Sequence, residues 1–144
     1  MTSQLLALYH DINIYKQGYI MSQLNDLYSS EFLNDNAILI GKIKKPSITK
    51  EEANQILDFV KQDIQNYPDH QHFILDVLLV QEVSNPIIGV LMKALQFWKK
   101  TRGYALLVMT DDLLQKIMIE QPAMFDFFAV FHTVDEAIAF TKKA

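Results

Sequence analysis

From residue 37 onward, short apolar runs of strand length alternate with segments of helical periodicity. Ala37–Ile43 is rich in β-branched residues, and Phe73–Val80 and Tyr104–Met109 are apolar enough for strands covered on both faces. Phe127–Phe131 predicts a fourth, shorter strand. Each intervening helix must return the chain to the same end of the sheet. The order β-α-β-α-β-α-β-α therefore predicts a single α/β domain with a central mixed, mostly parallel sheet and helices packed on it.

Polar residues at fixed offsets predict where the helices begin. Thr49 with Glu52 and Thr133 with Glu136 each have the capping-box spacing, in which the side chain of each residue bonds the backbone N–H of the other. Thr110 is expected to cap a helix over residues 113–120. These caps support the alternating pattern, because they give the helices defined starts.

The first part of the chain carries weaker signals. Residues 1–36 are predicted to be an amino-terminal extension packed on a domain of residues 37–144. Within this extension, Leu5–Tyr15 could contain a strand, and the apolar spacing of Ile20–Leu33 favours a helix without good caps.

Composition excludes several classes of function. Lys and Arg number 13 against 17 Asp and Glu, and the formal net charge of −4 leaves no basic stripe for nucleic acid. The absence of cysteine excludes thiolate chemistry and fits a reducing cytoplasm, which is where we expect the protein. No signal peptide is predicted, and every apolar stretch is shorter than the ~18 residues that span a bilayer, so no direct membrane insertion is expected.

Catalytic motifs are not evident. His70 and His72, with Asp69 beside them, form the one crowded group that suggests a metal, but they flank a turn with Pro68 and lack a third ligand at supporting spacing. We therefore expect them in a solvated loop. With no nucleophile elbow and no phosphate-binding glycine loop, the sequence predicts no catalytic residue, no metal and no cofactor, hence no enzyme.

The helix after the second strand has an unusually wide apolar face. Asn85 is predicted as its cap and Pro86 as its first residue, with the helix running to about Thr101. Its apolar residues cover more than the ~100° that a surface helix needs. Val90 and Phe97 stand at the border of this face. They are expected either to contact a partner protein or to be covered by residues 1–36.

The same region carries a family resemblance. Leu75–Val77 (LDV) lies in the second strand and is followed, eight residues after Asp76, by Ser84–Leu91 (SNPIIGVL). This pattern resembles the STAS domain of anti-sigma factor antagonists, where a strand ending in Leu-Asp-Leu precedes an Asp-Ser-Ser-Gly-Leu-Gly-like turn and an apolar helix. Lys100–Gly103 before the third strand and Thr133–Ala137 (TVDEA) after the fourth are also similar. The resemblance covers residues 37–143.

The resemblance implies a switch that this chain has altered. In the family, the first Ser of the turn is phosphorylated by a kinase that is also an anti-sigma factor. Asn85 occupies that position here, and an amide keeps a capping hydrogen bond but accepts no phosphate. Ser84, Pro86 and Ile87 also depart from the family pattern. Ser84 retains a hydroxyl, so it is either a substitute phosphorylation site or an ordinary residue before the cap.

We therefore expect a regulatory protein-binding module that resembles an anti-sigma factor antagonist and is not switched by serine phosphorylation. The expected partner-binding residues are Ser84, Asn85, Pro86, Ile87, Val90 and Phe97. The family implies an anti-sigma factor or kinase-like partner. The alternative is an accessory subunit bound to the ATPase of an ABC lipid transporter. Self-association as a homodimer stays open.

Overall fold

The computed structural model describes residues 19–98, 101–126 and 128–143, whose strands form one mixed sheet. Six strands lie side by side in chain order: β1 Tyr19–Leu24, β2 Tyr28–Leu33, β3 Ile38–Ile43, β4 His72–Asp76, β5 Ala105–Val108 and β6 Ala129–Phe131. β1 with β2 and β2 with β3 are antiparallel pairs, whereas β3 to β6 run parallel. The predicted α/β fold and its strand–helix order from residue 37 are confirmed.

Four helices connect or follow the parallel strands: α1 Lys50–Asn66, α2 Asn85–Trp98, α3 Asp111–Glu120 and α4 Val134–Lys142. Both predicted capping boxes are present, with the Thr49 hydroxyl accepting from Glu52 N at 3.1 Å and the Thr133 hydroxyl from Glu136 N at 3.0 Å. Within the described residues, no helix has the length and apolar content to cross a membrane.

The helices are divided unequally between the two faces of the sheet. The larger core holds Ile56 of α1, Leu91 of α2 and Ile117 of α3 on one face, and Ala137 of α4 belongs to the smaller core on the other. Successive right-handed crossovers that step in one direction place their helices on the same face. α1 and α2 are therefore neighbours, and their contact forms the site described below.

Residues 20–33 are not helical, so the helix predicted for Ile20–Leu33 is wrong. The side chain of Asn25 accepts hydrogen bonds from Leu27 N at 3.0 Å and Tyr28 N at 2.8 Å, which turns the chain between β1 and β2. β2 then pairs with β3 along its whole length. Residues 19–36 thus contribute two strands to the same sheet, and the strand expected in Leu5–Tyr15 lies outside the described residues.

Tyr28 shows how closely β2 is integrated into the core. Its ring is fully buried and lies over Gly41 of the neighbouring strand. The ring also stacks on that of Phe59 of α1, with the two ring centroids 5.8 Å apart. The phenol donates to Asp63 Oδ2 at 3.5 Å, and burial, together with this carboxylate, raises the pKa of Tyr28. The absence of a Cβ at residue 41 leaves the space that the ring occupies.

Candidate functional site

The start of α2 lies at the carboxyl edge of the parallel strands, where α/β proteins commonly bind their ligands. The loop from β4 to α2 is tied to the loop before α1, because Gln81 N and Glu82 N both donate to the carbonyl of Pro46, at 2.8 and 3.2 Å. The first turns of α1 and α2 are thereby held beside each other.

Ser84, and not Asn85, caps α2. The Ser84 hydroxyl accepts from Ile87 N at 3.3 Å, and the Ser84 carbonyl accepts from Ile88 N at 3.0 Å. Asn85 is the first helical residue and is exposed, and Pro86 is the second. The prediction of Asn85 as the cap is therefore wrong. It assumed that Pro86 is the first helical residue, but proline is tolerated throughout the first turn, because the N–H groups of that turn have no partner within the helix.

Two of the expected partner-binding residues are buried. Ile87 is inaccessible, and Val90 is 1% exposed within the larger core. Phe97 is half-buried against the same core. α2 packs on both the sheet and α1, so its wide apolar face is buried by contacts within the domain. Among the α2 side chains that the structure describes, Met92 is the large apolar residue that is exposed, at 38%. The interface predicted from Val90 and Ile87 is therefore corrected, whereas Ser84, Asn85 and Pro86 are accessible.

An apolar groove of about 380 Å³ lies between α1 and α2. Its lining residues are Lys50, Ala53, Asn54, Leu57, Asn85, Pro86, Gly89, Val90 and Lys93. The α1 residues, Gly89 and Lys93 were not predicted as site residues. The signal in the sequence is Gly89, a glycine inside a regular helix, which implies either close packing or an open surface.

Gly89 faces open space. Apart from the neighbouring residues and backbone of the helix itself, no heavy atom lies within 4 Å of the position that a Cβ would take, so internal packing does not require a glycine here. By contrast, the Cβ of an alanine at residue 41 would meet the ring of Tyr28. The missing side chain of residue 89 therefore deepens the groove.

The two neighbouring histidines are structural. His70 is 3% exposed; its Nδ1 donates to the carbonyl of Tyr67 at 2.8 Å, and its Nε2 accepts from the Thr101 hydroxyl at 2.9 Å. His72 accepts from Tyr104 N at 2.9 Å, and burial, with the neighbouring His70, lowers the pKa of His72. The predicted solvated loop is wrong for both histidines: the buried ring of His70 is hydrogen-bonded to Tyr67 and Thr101, and His72 is the half-buried first residue of β4.

A second cavity, of about 320 Å³, lies on the opposite face of the sheet, beside α4. Asp76, Lys42 and Glu31 line it. Burial raises the pKa of Asp76 above its ordinary value near 3.8, against the lowering effects of the hydrogen bond from Leu78 N at 2.9 Å and of Lys42. Burial likewise raises the pKa of Glu31, which Lys42 partly offsets. This cavity does not adjoin Ser84 or Asn85.

Comparison of the sequence with models of protein families gives no match, and comparison with characterised proteins gives none. Among solved structures, the chain is similar to the NMR structure of the protein TM1081, with a TM-score of 0.60 and 14% sequence identity over 76% of this chain and 85% of the other. At this identity, the similarity concerns the fold alone.

Proposed function

We propose that this chain is a regulatory protein-binding module, resembling an anti-sigma factor antagonist, that is not switched by serine phosphorylation. The observation that carries the proposal is the first turn of α2, where the exposed Asn85 and the half-buried Pro86 both line the apolar groove. An exposed turn beside an unfilled apolar groove is a surface that another protein can cover.

The chemistry of the turn supports the absence of a phosphorylation switch. Asn85 has no hydroxyl, and Ser84 is a half-buried residue whose hydroxyl oxygen accepts a hydrogen bond from Ile87 N. Transfer of a phosphoryl group to Ser84 would require this oxygen to leave the cap and face a kinase. The unmodified state is therefore the state in which the module binds.

The lining of the groove favours binding over catalysis. It includes two lysines, two asparagines and apolar side chains, and none of its residues is a carboxylate, a histidine or a hydroxyl nucleophile. As part of the same proposal, we assign the protein to the cytoplasm, which the absence of cysteine favours.

Affinity capture from a lysate of the source cells tests this function. The immobilised protein should retain an anti-sigma factor or kinase-like protein, and intact-mass spectrometry after incubation with that partner and ATP should show no added phosphate. Retention of a transporter ATPase would instead favour the accessory-subunit alternative. Stoichiometric phosphate on Ser84 would contradict the absence of a switch, and the lack of any specific protein partner would contradict the proposed function.

A further inference from the structure

The groove between α1 and α2 combines an apolar floor with a positively charged rim. Leu57 is its half-buried apolar side chain, the buried Ala53 and Val90 also line it, and Lys50 and Lys93 stand on opposite walls. Both lysines are exposed, and neither takes part in an ion pair with any residue of the described chain. Their charges are therefore available to a ligand that enters the groove.

The charge of the groove runs against the charge of the protein as a whole. The chain has a formal net charge of −4, yet the groove is lined by two lysines and by no carboxylate. The first turn of α2 also lacks an acidic residue, so the partial positive charge of this helix end is not compensated by its own side chains. An anionic ligand is therefore favoured.

The shape of the groove fits a helix. Its walls run from Lys50 to Leu57 on α1 and from Asn85 to Lys93 on α2, which is about two helical turns, or ~10–12 Å. A third helix can pack its ridges into the groove between two neighbouring helices. The open backbone at Gly89 allows that helix to approach closely.

We propose that this groove binds an acidic amphipathic helix of a partner protein. Apolar side chains at helical i, i+3, i+4 and i+7 spacing would fill the floor beside Leu57 and Gly89, and carboxylates flanking them would meet Lys50 and Lys93. This inference rests on the proposed protein-binding function and specifies the chemistry of the segment that is bound.

Two synthetic helical peptides test the chemistry. Both carry leucine at the i, i+3, i+4 and i+7 positions; one has glutamate and the other lysine at the flanking positions. Titration into isotopically labelled protein, followed by amide chemical shifts, should give saturable binding of the glutamate peptide with shifts concentrated in residues 50–57 and 85–93. The lysine peptide should bind at least about tenfold more weakly, and added salt should reduce the difference.

Variants locate the binding surface. Gly89→Leu should weaken the glutamate peptide about tenfold or more, because the new side chain fills the floor, whereas Gln115→Leu on the exposed side of α3 should not. Lys50→Glu combined with Lys93→Glu should reverse the preference between the peptides. Lys142→Glu combined with Lys143→Glu makes the same change of charge at the end of α4 and should leave the preference unchanged.

Equal affinity for the two peptides, an undiminished affinity in Gly89→Leu, or no saturable binding of either peptide would overturn the proposal. Saturable binding of dodecanoate in place of the peptides would overturn it in favour of a lipid-like ligand. A partner protein captured from lysate that binds Gly89→Leu as well as the wild type would refute the groove alone and leave the proposed protein-binding function standing.

Discussion

Replacing Gly89 by alanine should stabilise the protein, because this glycine lies inside α2 without an internal packing reason. Glycine inside a helix costs roughly 0.5–1 kcal/mol relative to alanine, largely through the greater freedom of the unfolded chain. The offsetting steric cost is absent, since no heavy atom outside the neighbouring part of the helix lies within 4 Å of the added Cβ. We expect the free energy of unfolding to rise by about 0.5–1 kcal/mol and the melting temperature to rise by a few degrees.

Urea denaturation followed by circular dichroism measures this change, and Gly41 and Gly103 supply matched controls. At Gly41 the new Cβ would lie 2.9 Å from Cζ of the buried Tyr28, and at Gly103 it would lie 2.7 Å from the carbonyl oxygen of Gln71. Both alanine variants should lose stability, by about 1–3 kcal/mol for the overpacked core position. A neutral or destabilising Gly89→Ala with an unchanged m value would refute the reasoning, because it would mean that α2 itself needs the glycine.

Three further substitutions test the cap, the buried charge and the core. Ser84→Ala should lower the free energy of unfolding by about 1 kcal/mol while Asn85→Ala stays near neutral; equal losses in urea denaturation would argue against Ser84 as the cap. The raised pKa of Asp76 means that the folded state binds more protons than the unfolded state between the ordinary and the raised value, so stability falls as pH rises through that range. Asp76→Asn keeps an acceptor for Leu78 N and removes the buried charge, so its free energy of unfolding should rise relative to the wild type as the pH approaches neutral. A difference between the two proteins that does not change with pH across this range would contradict the raised pKa of Asp76. Val90→Lys should lower the melting temperature strongly because it places a charge in the core, and an unchanged melting temperature would return Val90 to the surface.

The elements that the sequence predicted well are those with local causes. Thr49 and Thr133 each bond a backbone N–H three residues later within one turn, so their helices begin as expected. The β1–β2 pair was not predictable in this way. Its stability comes from pairing with β3 and from burial of Tyr28 against Phe59, contacts between residues far apart in the chain.

The sequence indicated the wide apolar face of α2 but not the elements against which that face packs. The wide apolar face of α2 indicates that Val90 is covered by another element. Only the structure shows that α1 of the same chain packs there. Ser84 and Asn85 are both good caps by residue type. The loop before Ser84 is hydrogen-bonded to the carbonyl of Pro46, which is distant in the sequence. Cap propensities depend on residue type alone and give no information about such a contact.

The central claim, that a partner protein docks on the first turn of α2, is tested most directly by the affinity of the captured partner for Asn85→Asp. Titration calorimetry should show binding weakened at least about tenfold relative to the wild type, because the substitution places a negative charge where the phosphorylated serine of the resembled family stands. Gln115→Glu makes the same change from amide to carboxylate on the exposed side of α3 and should bind as the wild type does. Equal affinity of Asn85→Asp and wild type would contradict the claim.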